Sequence, residues 1–163
     1  MVLVRDARID DLPELLAVYN QAVENTPATF DLEPQTLEQR REWFDQHSRE
    51  YPLLVAEADG RVLGYACLSR YRAKPACGKT VESPVYIAAE HQRQGVGTTL
   101  MNALLQCPAD LGYHCVLAGV VCGNSGSARL HEWLGFEHVG CLREVGYKFG
   151  TWHDVHWYEL FLH

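Results

Sequence analysis

The stretch VYIAAEHQRQGVGTTLMNALL, Val85 to Leu105, constrains the fold of this chain more than any other. It runs from strand formers through a glycine pair, Gly95 and Gly97, into an apolar pattern of helical period. A strand that feeds a helix through glycines leaves free backbone N–H groups at the helix N-terminus, and the helix dipole adds partial positive charge there. Such an end suits a phosphate, and glycine lets an anion approach the backbone closely. The plainer reading is a turn that only packs helix on strand.

Two familiar phosphate-binding patterns fail on the flanking residues. A P-loop requires Lys-Ser or Lys-Thr after its last glycine, whereas Thr98 follows Gly97 directly. A dinucleotide fingerprint requires a third glycine and an acid at the end of the next strand, and that strand ends VVCGNS.

Around this junction the pattern predicts a single mixed α/β domain over residues 1–163, in the order β α α β β β α β α β β. VLVRDA is a strand, and DDLPELLAVYNQAVEN a helix with Asp11 and Glu14 spaced as a capping box and Pro13 in its first turn. Thr36 and Gln39 repeat that spacing before the helix LEQRREWFDQHSRE. PLLVAEADGRVLGYACLSRY is a hairpin turning at Asp59-Gly60. TVESPVYIAA is one central strand, TTLMNALLQCPADLG a third helix, and YHCVLAGVV a buried strand. GNSGSARLHEWLGF is a turn and a short helix stopped by Gly135, and the tail is two strands joined by a glycine-bearing loop.

With 47% hydrophobic and 21% charged residues, 163 residues can bury a core without staples. A net charge of -7 argues against a nucleic-acid binder or a basic membrane-surface protein, since both need a cationic field. The early Arg5 and aspartates break any signal-peptide core, and no apolar run reaches membrane-spanning length, so a cytoplasmic location is expected. The six cysteines include no C-x-x-C pair and read as small buried hydrophobes. His153 and His156 would point to opposite faces of a strand, so no metal site is expected. GNSGS is not a nucleophile elbow.

Gln92, Gly95 and Gly97 do satisfy Q/R-x-x-G-x-G/A, preceded by VYI and followed by an amphipathic helix. On these residues the chain resembles the GNAT superfamily of acyl-CoA-dependent N-acetyltransferases, and the order of elements extends the resemblance over nearly the whole chain. TVESPVY, HQRQGVG, RLHEWLGF and GYKFGTWHDVHWYEL are similar to segments of phosphinothricin N-acetyltransferases and their methionine sulfoximine relatives. The resemblance implies a central mixed sheet splayed between its fourth and fifth strands and flanked by helices, acetyl-CoA as co-substrate, and a homodimer. It implies that Arg93, Gln94, Gly95, Val96, Gly97 and Thr98 hold the coenzyme A pyrophosphate. Val85, Tyr86 and Ile87 then bind acetyl and pantetheine through their backbone, and Asn124, also a plain helix cap, touches the pantetheine arm.

Acetyl transfer from a thioester to an amine needs a neutral amine, a stabilised oxyanion and a proton for the thiolate. By resemblance Glu82 is the general base, although an acid on a strand also suits a solvent-facing side. Pro84, lacking an N–H, marks an irregularity that would free backbone donors for the oxyanion. His131 stands where many superfamily members carry a tyrosine, and serves as acid, as relay or as a packed helix histidine. On the acceptor side, Thr29 and Phe30 resemble residues of one wall, while Arg72, Ala73 and Lys74 lie in a loop whose basic residues either pair with an anionic substrate end or are merely solvated. This loop departs from the pattern of relatives rich in aromatic residues, which leaves open another amino acid, a polyamine or a protein N-terminus as acceptor. A non-catalytic acyl-CoA sensor would be expected to lack both Glu82 and His131, and both are present.

Overall fold

The computed structural model describes residues 1–162, with Pro108 by its backbone alone. In chain order the elements are β1 (Leu3–Asp6), α1 (Leu12–Asn25), α2 (Leu37–Asp45), β2 (Leu53–Ala58), β3 (Arg61–Cys67), β4 (Ser69–Arg70), β5 (Thr80–Glu82), β6 (Val85–Ile87), α3 (Val96–Leu104), α4 (Cys107–Asp110), β7 (Cys115–Val121), α5 (Ser125–Trp133), β8 (Glu137–Lys148) and β9 (Thr151–Phe161). They form two sheets, β1-β2-β3-β6 and β4-β5-β7-β9-β8. Every pairing is antiparallel except β5 with β7.

The segment expected as one central strand, 80–89, is therefore two strands in different sheets. Ser83 N–H still donates to Leu117 O, whereas the carbonyl of the next residue, Pro84, accepts from Cys67 N–H. Ser83 faces β7 and Pro84 faces β3, and Val85, the next residue with the parity of Ser83, has no β7 partner, so the chain changes sheets across a single peptide bond. The splay between the fourth and fifth predicted strands is thus present, and its origin is local.

Both faces of the first sheet are covered. Alternate residues of β2 divide between two cores: Leu54 and Ala56 pack with Leu100, Met101 and Leu104 of α3, while Leu53 and Val55 pack with Leu15 and Val18 of α1. That is why the first four residues of β2, Leu53 to Ala56, form an unbroken apolar run. Helix α1 stops at Thr26, which turns extended before Pro27, as a residue preceding proline tends to.

The turn chemistry holds where it is local. Asp59-Gly60 and Phe149-Gly150 each place two successive residues at positive φ, the requirement of a type I′ hairpin. Thr36 and Gln39 form the reciprocal cap, at 3.2 and 2.9 Å. Gly135 ends α5 with φ 92° while Phe136 N–H reaches back to His131 O.

The Asp11–Glu14 box does not form. The Asp11 carboxylate instead accepts from Arg5 at 2.8 and 2.9 Å and from Arg8 N–H at 2.7 Å, and Glu14 accepts from Val62 N–H. Charge-assisted bonds from a guanidinium outweigh a cap, and the Arg5 hydrogen bond holds the Asp11 carboxyl below the usual range. The second helix also ends earlier than expected, at Asp45, because Ser48 and the residues around it bond locally to Tyr51 and Glu50. The third divides into α3 and α4, with Gln106 N–H turning to Ala103 O between them. Of the cysteines, Cys67 and Cys115 are buried, but Cys77 and Cys107 are half-buried and Cys122 and Cys141 exposed, so most are not core residues. No helix among the described residues is long and apolar enough to cross a membrane.

The approach of β6 to β3 depends on Gly64. A β-carbon there would lie 2.6 Å from Tyr86 O and 3.0 Å from Ile87 Cα, both backbone atoms that cannot rotate away. Gly64→Ala is expected to destabilise the fold by about 1–3 kcal/mol, as overpacking does. Urea denaturation of the variant checks this, with an unchanged midpoint counting against the tight β3–β6 contact.

Candidate active site

The splay exposes two strand edges to each other. In an antiparallel pair, alternate residues turn their N–H and C=O toward the partner. Ala88 N–H donates to Leu63 O and Cys67 N–H to Pro84 O, so with Tyr86 opposite Tyr65 it is Tyr86 whose backbone is spent on β3. The N–H and C=O of Val85 and Ile87 point the other way, along an edge of β6 without a partner strand. On β7, Cys115 and Leu117 face β5, and the same alternation turns Gly119 and Val121 toward the gap that opens beyond Glu82.

The gap is a cleft of about 470 Å³. Glu82, Ser83, Val85 and Tyr86 line one side, Leu117 to Val121 the other, and Asn124 and His131 of α5 and Phe30 of the α1–α2 loop close it. A second hollow, about 660 Å³, lies over Cys141–Val145 and Asp154 and shares Leu142 and Val145 with the cleft. The splay is the better site because open backbone groups and titratable side chains converge there.

Glu82 and His131 reach the gap from opposite faces. Glu82 pairs with Leu117 and so shares its face with Gly119 and Trp157, whereas Val81, Ala118, Val120 and Tyr158 point into the core under α3. His131 belongs to that second side, with its ring 6.2 Å from Tyr158 and 5.0 Å from Phe136. The cleft passes through the sheet, and two reactants could meet in it from either face.

A family model described as an acetyltransferase (GNAT) domain matches residues 4–157. The chain belongs to the GNAT acetyltransferase family. It is 46% identical over 162 residues to a phosphinothricin N-acetyltransferase of Streptomyces coelicolor, covering 97% of this chain and 95% of the relative. To an L-methionine sulfoximine/L-methionine sulfone acetyltransferase of Pseudomonas aeruginosa it is 42% identical, covering 96% and 92%. The structure of a phosphinothricin acetyltransferase from Sinorhizobium meliloti in complex with acetyl-CoA superposes with a TM-score of 0.95 at 30% identity, covering 99% and 88%.

In this GNAT cleft the protonation states follow from burial. Glu82 is half-buried, and desolvation raises its carboxyl above the usual range. His131 is 2% exposed, and its Nδ1 lies 2.7 Å from Ser127 O. A carbonyl only accepts, so Nδ1 carries the hydrogen and the neutral ring has its lone pair on Nε2. Burial lowers the His131 pKa, partly offset by that bond, so the neutral form prevails near pH 7. Nε2 is buried without a hydrogen-bond partner among the described residues, as is Ser83 Oγ. By strand alternation Ser83 shares the face of Val81, the side from which His131 enters.

The glycine junction lies at the other end of β6. Gly95 is the N-cap of α3 with φ 82°, and no side chain among the described residues caps the helix. Arg93 also has positive φ, 60°. The first-turn N–H groups of Val96, Gly97 and Thr98 thus have no side-chain acceptor, an arrangement that can receive an anion. A β-carbon at Gly95 would touch nothing, so backbone conformation is what calls for glycine there. The Val96 side chain is buried, which leaves only its backbone for a ligand, while Arg93 and Gln94 are exposed.

Asn124 caps α5 through Ser127 N–H at 3.2 Å and lines the cleft as well. Arg72, Ala73 and Lys74 are exposed on the loop after β4 and do not line the cleft, with the Arg72 guanidinium resting 5.1 Å from the Tyr71 ring. Sequence reasoning passed over Ser83, Gly119 and Trp157. Only Ser83 left a signal, as a polar residue on the core-facing alternation of a strand.

The raised Glu82 carboxyl has a thermodynamic signature. Between the ordinary carboxylate range and its raised folded value, the native state binds more protons than the unfolded chain, so stability falls as pH rises through that window. Glu82→Gln removes this penalty. The stability of the variant relative to the parent should increase from acid to neutral pH, measured by thermal unfolding, whereas a pH-independent difference would refute the burial of the charge.

Proposed function

We propose that this chain is a single-domain, acetyl-CoA-dependent N-acetyltransferase acting on the amino group of a small amino-acid-like acceptor, of the phosphinothricin and methionine sulfoximine class. The observation that carries this is the splay itself, where open strand edges meet a desolvated carboxylate and an unprotonated imidazole nitrogen. The activities named for the similar bacterial enzymes point to the same acceptors.

Acetyl-CoA supplies the acetyl group as a thioester. The N–H and C=O of Val85 and the N–H of Ile87, whose carbonyl accepts from Gln92 Nε2 at 3.2 Å, suit the amides of an extended pantetheine arm, which would add to β6 as a strand would. The uncapped first turn of α3, from Arg93 to Thr98, suits the pyrophosphate. N–H groups already turned toward the gap stabilise the oxyanion with no reorganisation at the moment of attack.

Glu82 takes the proton that the acceptor ammonium must lose, and its raised pKa makes it the stronger base. His131 Nε2 has no proton to give at the outset, so it acts as a relay. It receives the second amine proton as the C–N bond forms and returns it to sulfur as the C–S bond breaks, ending neutral. The proton on Glu82 leaves to solvent.

Among the lining residues Glu82 is the one carboxylate and His131 the one imidazole, and the rest are apolar or uncharged, with no lysine or arginine. That favours the uncharged sulfoximine or sulfone over the anionic phosphinothricin. The face of the β8–β9 hairpin leaves Leu142, Val145, Tyr147, Phe149 and Trp152 each about half exposed, which suits a homodimer. Six free thiols agree with a cytoplasmic location.

Thiol release from acetyl-CoA with methionine sulfoximine, methionine sulfone, phosphinothricin and a polyamine should show turnover with the first two, less with the third and none with the polyamine. Polyamine turnover alone would overturn the acceptor assignment. Glu82→Gln should lower kcat/KM by about 10²–10⁴, the usual worth of a general base, while acetyl-CoA affinity holds. In the parent, activity should fall on acidification through a pKa above the ordinary carboxylate range, and this limb should vanish in the variant.

A further inference from the structure

The reaction above makes no use of Lys148, a charged side chain 3% exposed near the end of β8. Its Nζ donates to Thr29 O at 2.9 Å, joining residues 119 positions apart. Thr29 belongs to the loop between α1 and α2, and the Tyr19 hydroxyl holds the same loop from below through Thr29 Oγ1, at 3.0 Å, and the Asp31 carboxylate. Asp31 favours the charged form of Lys148, opposing the desolvation that lowers its pKa.

Two residues earlier on the same strand, Gly146 lies against the Phe30 ring, and a β-carbon there would overlap that ring. The backbone at Gly146 does not require glycine, since its φ is not among the positive ones. What the position requires is the absence of a side chain. His153 stands opposite Gly146 in register, with its ring 6.2 Å from Phe30 and its Nε2 donating to Lys148 O at 2.9 Å. Phe30 is thus seated on the hairpin while the peptide just before it is held by an ammonium, and Phe30 lines the cleft on the Glu82 face.

A buried ammonium is a costly way to hold one carbonyl, because an apolar side chain of similar length would fill the space without desolvating a charge. The expense is reasonable where a loop must be held in register. We propose that Lys148 and Gly146 are positioning residues for the acceptor: they fasten Thr29 and Phe30 to the β8–β9 hairpin and so set the depth of the acceptor end of the cleft. This rests on the reading that the Glu82 face receives the amine. No atom of either residue takes part in bond making.

The test uses the full chain with Lys148→Met, which keeps the length and removes the charge, and Gly146→Ala, which the backbone tolerates and which can act only by displacing Phe30. Lys148→Met should raise the acceptor KM about tenfold, the worth of one charge-assisted hydrogen bond. Gly146→Ala should change the kcat/KM ratio between methionine sulfone and alanine by about tenfold, as expected when one wall of a side-chain pocket moves. In both variants the acetyl-CoA KM should stay within about twofold, a separation that general loosening of the fold would not give. An unchanged acceptor KM and ratio, or acceptor and acetyl-CoA KM values rising together, would overturn the proposal. Should Lys148→Met fail to fold, Gly146→Ala alone decides. Failure of the acceptor reading shows in the parent enzyme, as no turnover of either amino acid, and removes the assignment with it. Failure of the latch alone shows only in the variants.

Discussion

One hydrogen bond not made organises this molecule. After Ser83 donates to Leu117, the next group that alternation turns toward β7 is the Val85 N–H, and it faces the gap instead, while the Pro84 carbonyl between them is committed to Cys67 on β3. The two sheets part at that bond, and the cleft is what separates them. Had Val85 continued beside β7, Gly119 would have spent its backbone groups on it and Val121 its N–H, the Val121 carbonyl being held already by Asn124 N–H. An acetyltransferase needs those groups unspent, because an oxyanion and an extended arm are both bound by main-chain donors and acceptors.

The two titratable groups draw different chemistry from the same loss of water. Burial penalises the charged form of each, which raises the Glu82 carboxyl and lowers the His131 imidazole. The first becomes a stronger base and the second stays neutral with its free nitrogen in the cleft. The Ser127 carbonyl completes the assignment by taking the Nδ1 hydrogen, a contact within one turn of α5. The two groups stand on opposite faces of a sheet, so neither needs to share space with the other's substrate.

Features whose cause lies within a few residues were legible in the chain. The Thr36 cap, the Asp59-Gly60 turn, Gly135 at the end of α5 and the bare first turn after Gly95 all follow from φ preferences and nearby polar side chains. The same logic failed at Asp11, where a guanidinium from β1 outbid the expected cap, and it did not show that Arg72 to Lys74 stand outside the lining of the cleft. Resemblance pointed to Glu82 and His131 because chemistry keeps residue types in place along a chain, but not to Lys148 or Gly146, which matter through a contact with a loop 119 positions away.

By itself the sequence determined most strand and helix starts, though not those of β6 or α4, together with which turns are tight and that a glycine junction would present bare amides, since these depend on local sterics and hydrogen bonding. Only the tertiary structure decided which strand edges remain open, which carboxylate loses its water, and which loop is fastened to which hairpin. Those outcomes are set by long-range pairing and burial, where a residue's neighbours are far from it in the chain.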